Sequence, residues 1–307
     1  MARKGLSILL SALVALVLAC GGGSAKPAAT QPAAAAFPQT FQESDGQTLT
    51  LRAQPQRIVS LSADATEIFC AVGAGAQLVA VDRYANCPLG SSAKPELDAY
   101  KPSLEAIAAY RPDLVFVSVN SSDVVQNLRQ LNIPVLYVQV PNDLDGVLDR
   151  IRLLARASGH AAEGDKLAQQ LQAQMEQVKQ KLANVTTGPR VYHELDTTYF
   201  SAAPSSFVGD FYTFLKAQNI AAGASTPYPQ LSAEVIVQRN PQVIVLADEA
   251  AGITPQDVKS RPGWNAIDAV KNDRICVVDP DIVSRPGPRI IDALNTLAKC
   301  LYPDRFQ

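Results

Sequence analysis

Two stretches of this chain repeat one pattern: a polar cap, a short apolar stripe, then a β-branched run 129 residues further on in the second copy. The first copy is P-S-L-E-A-I-A-A-Y-R-P-D-L-V-F-V, Pro102 to Val117, and the second is P-Q-L-S-A-E-V-I-V-Q-R-N-P-Q-V-I-V-L, Pro229 to Leu246. Each opens a short helical stretch with a Glu (Glu105, Glu234) and sets a Pro seven residues later (Pro112, Pro241). Proline lacks the helical donor and clashes with the preceding turn, so each helix stops there. The apolar run beyond reads as a buried parallel strand. Two copies in corresponding places predict two similar α/β lobes and a cleft between them.

The rest of the chain fills in both lobes. Residues 39–52 read as a hairpin around Asp45-Gly46. R-I-V-S-L (57–61) and L-V-A-V-D read as strands on either side of a capped helix that ends in glycine. A helix around Val124–Gln130 and the strand P-V-L-Y-V-Q-V follow the first repeat copy. From Asn142 to Gly188 there is no proline. Val147, Ile151 and Leu154 recur at helical spacing, Gly159 punctuates, and Leu167, Leu171, Met175, Val178 and Leu182 form a second stripe among Gln and Lys. About 25 residues of helix would run about 37 Å, enough to bridge two lobes. The second α/β set has a strand at 190–195, a helix around Val208–Gln218, the second repeat copy and the strand I-C-V-V-D. R-P-G-P-R-I-I-D-A-L then starts a final helix with prolines expected in its first turn. The expected fold is α/β: two lobes with central, mainly parallel sheets, a long bridging helix and a cleft between the lobes. The expected divisions are a signal peptide 1–19, a lipidated tether 20–38, an N-terminal lobe 39–158, a bridging helix 159–187 and a C-terminal lobe 188–307.

The N-terminus changes where such a protein works. Arg3 and Lys4 precede an uncharged run from Gly5 to Ala19 that ends at V-L-A-C. A basic start, an apolar stretch too short for a membrane span and a small residue before Cys20 read as a secretion signal. G-G-G-S-A-K-P-A-A-T-Q-P follows Cys20 and has nothing to bury, so it reads as a flexible tether. Losing residues 1–19 removes two bases and no acid, which takes the net charge from −2 to −4 and argues against nucleic acid. With 47% hydrophobic and 18% charged residues, the chain as a whole suits a globular protein. Of the other cysteines, two lie in each half. In an exported chain Cys70–Cys87 and Cys276–Cys300 are the economical bridges, with buried free thiols as the alternative. No C-x-x-C spacing points to zinc.

Candidate chemistry is sparse. There are two histidines, and no G-x-S-x-G, phosphate-binding loop or H-E-x-x-H is present. The one acid–base grouping is His193, Glu194 and Asp196, at the end of the first strand of the second lobe. A two-lobed enzyme would have to use it. The loops instead offer aromatics: Tyr84, Tyr100, Tyr199 and Tyr228 each follow a strand or precede a helix, where α/β proteins bind ligands. Arg285 and Arg289 bracket R-P-G-P-R. Aromatic faces with a guanidinium suit a bulky, flat, partly polar ligand.

From about Arg57 to Pro303 the chain resembles the helix-linked substrate-binding lipoproteins of ABC importers, which bind cobalamin, siderophores and haem. R-I-V-S-L-S-A-D-A-T-E-I, L-E-A-I-A-A-Y-R-P-D-L-V, the long middle helix, P-G-W-N-A-I-D-A-V-K-N-D-R-I and R-P-G-P-R-I-I carry the likeness in order. V-L-A-C resembles a lipobox, with Val17 in place of the usual Leu and lipidation expected at Cys20. Y-P-Q-L-S-A-E and R-P-G-P-R-I-I are similar to the vitamin B12-binding members. The resemblance implies that Glu105 and Glu234 dock on arginines of an ABC permease with its ATPase subunits. It implies that Tyr84 and Tyr228 hold the ligand with Arg285, and Tyr100 falls one residue from an expected aromatic. Ser118 and Glu194 stand where aromatics are expected, a departure from the B12-binding pattern. The expectation is therefore a monomeric, extracytoplasmic, lipid-anchored binding protein for a corrinoid, with no catalytic residue, cofactor or metal ligand of its own. A ferric siderophore or haem is the alternative ligand.

Overall fold

The computed structural model describes residues 36–87, 94–248 and 252–306. The expected signal segment and the expected lipidation site Cys20 lie outside these residues. Among the described residues no helix is long and apolar enough to cross a membrane. A hairpin, β1 (Gln39–Gln42) and β2 (Thr48–Leu51), opens the fold. It turns at Gly46, whose φ of 83° is open to glycine without a Cβ clash.

The first sheet contains β3 (Ile58–Leu61), β4 (Leu78–Asp82), β5 (Lys94–Leu97), β6 (Leu114–Val117) and β7 (Val135–Tyr137) in the spatial order β5-β4-β3-β6-β7, every pair parallel. Its helices are α1 (Ala63–Ala71), α2 (Leu104–Ala109) and α3 (Val124–Gln130). The second sheet contains β8 (Arg190–Glu194), β9 (Gln218–Asn219), β10 (Val243–Leu246) and β11 (Ile275–Val277) in the order β11-β10-β8-β9, again all parallel. Around it lie α6 (Phe207–Phe214), α7 (Ala233–Arg239), α8 (Pro255–Ser260), α9 (Asp268–Lys271), α10 (Pro280–Val283) and α11 (Ile290–Leu301). Between the sheets run α4 (Leu144–Ser158) and α5 (Ala161–Lys181).

The repeat strands are apolar throughout because both of their faces are buried. Leu114 and Phe116 of β6, with Val243 and Val245 of β10, join one core cluster that also takes in the apolar faces of α4, α5 and α11. Val115 and Val117 face a second cluster under α2 and α3, and Ile244 and Leu246 face a third around Trp264. One hydrophobic cluster thus runs from sheet to sheet through α4 and α5. The bridging helix has 21 residues, about 31 Å at 1.5 Å per residue, shorter than the sequence pattern implied. Gly159, at φ 86°, ends α4 and lets α5 start anew. Within α5, a Cβ on Gly164 would come within 2.2 Å of Ala155 Cβ, so the two helices touch there only because the residue is glycine. The prolines of R-P-G-P-R precede α11, which begins at Ile290, rather than occupying its first turn.

Candidate functional site

In the first sheet, residues just beyond the carboxyl ends of all five strands converge. Leu61 closes β3 with Ser62 and Asp64 after it, Asp82 closes β4 with Tyr84 after it, Ala99 and Tyr100 follow β5, Ser118 and Val119 follow β6, and Val140 follows β7. Ser284, Arg285 and Pro286, beyond β11 of the second sheet, close the opposite side. Together they line a cavity of about 230 Å³. Open α/β sheets place ligands at this end of their strands, where the loops are free to vary.

Tyr84 and Tyr100 stand on the rim, 54% and 62% exposed, and the Arg83 guanidinium lies over the Tyr84 ring, 4.8 Å from its centroid, and donates to its hydroxyl at 2.9 Å. Asp82 sets both of their loops. Its Oδ1 accepts the Tyr84 N–H at 2.9 Å and its Oδ2 accepts the Ala99 N–H at 2.9 Å, immediately before Tyr100. A disulfide, Cys70–Cys87 with Cα atoms 6.0 Å apart, ties the Tyr84 loop back to α1. Closing a loop of 17 residues is worth about 3 kcal/mol.

The floor is polar and its order comes from below. Arg150, on the buried face of α4, reaches up with Nη2 to Ser118 Oγ at 2.6 Å and to Asp64 Oδ2 at 2.9 Å. Its guanidinium also lies 5.2 Å from the Phe116 ring centroid. Burial pushes the Arg150 pKa down while the Asp64 charge opposes that shift. Ser118 donates to Ser62 Oγ at 3.0 Å, and Ser62 donates to Asp64 Oδ1. Ser62 therefore does not cap α1 with its side chain, as the sequence pattern suggests. Its hydroxyl is committed to Asp64.

Arg285 reaches the cavity already paired. Nη1 meets Glu67 Oε1 of α1 at 3.1 Å and Nη2 meets Asp281 Oδ1 at 2.7 Å. Arg289 grips the same Glu67, Nε to Oε2 at 2.9 Å and Nη2 to Oε1 at 2.7 Å. Glu67 is 5% exposed, so one nearly buried carboxylate joins the two lobes through two guanidinium groups.

The remaining expected residues lie elsewhere. Tyr199 is not in the cavity lining. Its ring is 5.8 Å from Trp264 and lies against Arg261, whose Cζ is 5.2 Å from the Tyr199 centroid. Packing claims that ring because Arg261 is drawn inward by Glu194, with two bonds of 2.6 Å. Tyr228 is 47% exposed ahead of α7, outside the lining residues. His193, Glu194 and Asp196 form no cluster. Alternation along β8 turns His193 to Tyr212 Oη, 2.5 Å from Nδ1, and Glu194 to the other face. Burial pushes His193 down to about 3, so it stays neutral. Asp196 accepts the Thr198 N–H at 2.8 Å and shapes a turn. Cys276 and Cys300 are free thiols, so the expected second bridge is not formed. They sit at hydrogen-bonding rather than bonding range, and that contact lowers the Cys276 pKa and raises the Cys300 pKa.

The two repeat glutamates have matching surroundings. Ser103 and Ser232 cap α2 and α7, their hydroxyls accepting from Ala106 N at 3.2 Å and Val235 N at 3.3 Å. Glu105 and Glu234 follow two positions later, both exposed. The backbone N–H of Glu234 and the Ser232 hydroxyl hold that carboxyl below its ordinary range.

Comparison with known proteins places this geometry. Residues 58–282 match the family model described as periplasmic binding protein. The chain is 28% identical to an uncharacterized ABC transporter substrate-binding lipoprotein, YvrC, of Bacillus subtilis, over 99% of each chain. The periplasmic vitamin B12 binding protein BtuF of Vibrio cholerae superposes with a TM-score of 0.71 at 26% identity, covering 82% of this chain and 99% of that one. The periplasmic heme-binding protein RhuT of Roseiflexus does so with a TM-score of 0.72 at 28% identity, covering 82% and 99%.

Proposed function

The chain belongs to the periplasmic binding protein family, and we propose that within it this protein captures a corrinoid in the interlobe cleft and hands it to an ABC permease. It is a substrate-binding protein of an ABC importer, of the class that serves vitamin B12, siderophores and haem, and its relatives are solute-binding proteins rather than enzymes. Such proteins work outside the cytoplasm with a permease and its ATPase.

The observation that carries the ligand reading is the pair of exposed rims, Tyr84 and Tyr100, over a cavity closed by the Arg285 loop. At about 230 Å³ the cavity is below the roughly 300–1,000 Å³ usual for small-molecule sites. A flat macrocycle would therefore lie between the rims and send only one edge to the floor. Glu105 and Glu234, equivalently placed and exposed, are the docking contacts for arginines of the permease. Cys20 carries the lipid, and the Gly/Ala/Pro tether gives the lobes reach from the membrane. Calorimetry of the full-length protein with cyanocobalamin is the test, and tight binding is expected. No binding of cyanocobalamin beside binding of haem or a ferric siderophore overturns the corrinoid reading.

A further inference from the structure

Among the described residues Arg285 is the basic side chain lining the cavity, and it comes from the second lobe. Its place is set by a residue of the first. Glu67, on α1, takes Arg285 Nη1 on Oε1 at 3.1 Å and Arg289 on both oxygens, Nε at 2.9 Å and Nη2 at 2.7 Å. The two arginines stand on either side of P-G-P, so their shared carboxylate pins both ends of that turn. The turn also rests on α1 by its backbone. A Cβ on Gly287 would stand 3.5 Å from the Asp64 carbonyl oxygen and 3.8 Å from Glu67 Oε2. Pro286 and Pro288 have fixed φ, so the segment between the arginines has little freedom of its own. A stiff turn moves with whatever holds its ends.

The pull on Arg285 is two-sided and unequal. Asp281 takes Nη2 at 2.7 Å, but its side chain is 55% exposed against 5% for Glu67. An exposed pair is screened and weak, whereas a buried charge is costly to strand, so Glu67 decides where the guanidinium sits. A guanidinium carries five N–H groups, and these two contacts leave the others unspent. Helix α1 carries the same hold to the opposite rim. Cys70, one turn after Glu67, is bonded to Cys87 in the loop that bears Tyr84. One short helix is thus fixed both to the Arg285 turn across the cleft and to the Tyr84 loop on its own side.

We infer that Glu67 is a positioning residue for the cleft: it seats the Arg285 turn on α1 before a ligand arrives, and so sets the spacing between Arg285 and Tyr84 and the aim of the unspent guanidinium N–H groups. Without this carboxylate, Arg285 follows the exposed Asp281 outward, and a ligand has to order the turn as it binds, which costs affinity. The inference rests on the cleft being the ligand site.

Amide hydrogen exchange and calorimetry on the full-length protein test it. In the protein without ligand, Glu67→Gln should speed exchange across Asp281–Ile291 by at least about tenfold and leave β3, β6 and β8 within about twofold. A general loss of stability would speed all of them alike and overturns the inference. With cyanocobalamin, or with haem if that is the probe bound, Glu67→Gln and Arg285→Met should each weaken binding at least about tenfold. The double variant should lose no more than about twofold beyond Arg285→Met alone, since no guanidinium is left to aim. Fully additive losses, or unchanged exchange in the turn, overturn the inference. If Glu67→Gln fails to fold, Arg289→Met leaves Arg285 on Glu67 and should speed exchange in the same segment by a smaller factor, and no change there overturns the inference. If neither probe binds, the ligand reading fails, and the exchange ratio without ligand still decides whether Glu67 seats the turn.

Discussion

Helices α2 and α7 repeat each other position for position. Each has a Ser cap, a Glu two residues on and one fully buried Ile (Ile107, Ile236). Each then reaches a left-handed residue (Arg111 at φ 46°, Asn240 at φ 44°) just before its proline. At the cleft ends of the two sheets the correspondence stops. Both lobes place an arginine–carboxylate pair there, but they use it differently. In the first, Arg150 rises from α4 and holds Asp64 where the cavity can see it. In the second, Arg261 and Glu194 are sealed under Tyr199 and Trp264, with Arg261 Cζ 4.5 Å from the Trp264 centroid. On the proposed function, helix ends that dock on the permease can stay alike, while walls that hold one asymmetric ligand must differ.

The likeness of α2 and α7 breaks or holds with the largest effect. Glu105→Ala together with Glu234→Ala should cut uptake by more than tenfold in transport assays while calorimetric ligand affinity stays unchanged. Each single change should give an intermediate loss. One single variant as impaired as the double would show that the two contacts are not equivalent.

The difference between the walls predicts unequal costs for removing each acid. Arg150, with 2% of its side chain exposed, has Asp64 as its carboxylate within 4 Å. Asp64→Asn should cost about 3–5 kcal/mol in denaturant unfolding, the penalty for stranding a buried charge. Glu194→Gln should cost about 1–2 kcal/mol less, because Asp248 lies beside Glu194 and within range of the Arg261 charge. Equal costs would mean that Asp248 does not compensate.

How far the sequence reaches is visible in these same residues. The repeat, the α4 and α5 stripes and the parallel strands were legible because apolar periodicity and proline stops are local signals. The edge strand β5 was not, since K-P-E-L carries no apolar run and its pairing is set by neighbours. Tyr84 and Tyr100 were reachable because they stand on loops after strands, and Arg285 because it opens the R-P-G-P-R turn before the last helix. Asp64, Glu67 and Arg150 were not named, because their roles depend on contacts between distant segments: Glu67 meets residues 218 and 222 positions away. One signal was available. Arg150 occupies the helical face that Val147, Ile151 and Leu154 define, and a charge in an apolar stripe demands a buried partner. Tyr199 misled for the opposite reason, since a loop tyrosine does not reveal in sequence which arginine will claim its ring.

Asp248 gives the smallest effect and the sharpest contrast with Asp64. It stands just past β10, and burial followed by the Glu194 charge pushes its carboxyl from 3.8 up to about 6. Between about pH 4 and pH 6 the folded protein keeps a proton that the unfolded chain has released. Stability therefore falls as pH rises through that window, and the deficit persists above it. Asp248→Asn removes the titration. It should raise stability at pH 7 by about 1 kcal/mol, allowing for solvent screening at the cleft edge, and change little at pH 4. Urea unfolding across pH 4 to 8 reads both values. The acid of one wall would then stabilise by its charge and that of the other destabilise by it. A loss of stability in Asp248→Asn at pH 7 would show instead that Asp248 already pairs with Arg261, and the two walls would be alike after all.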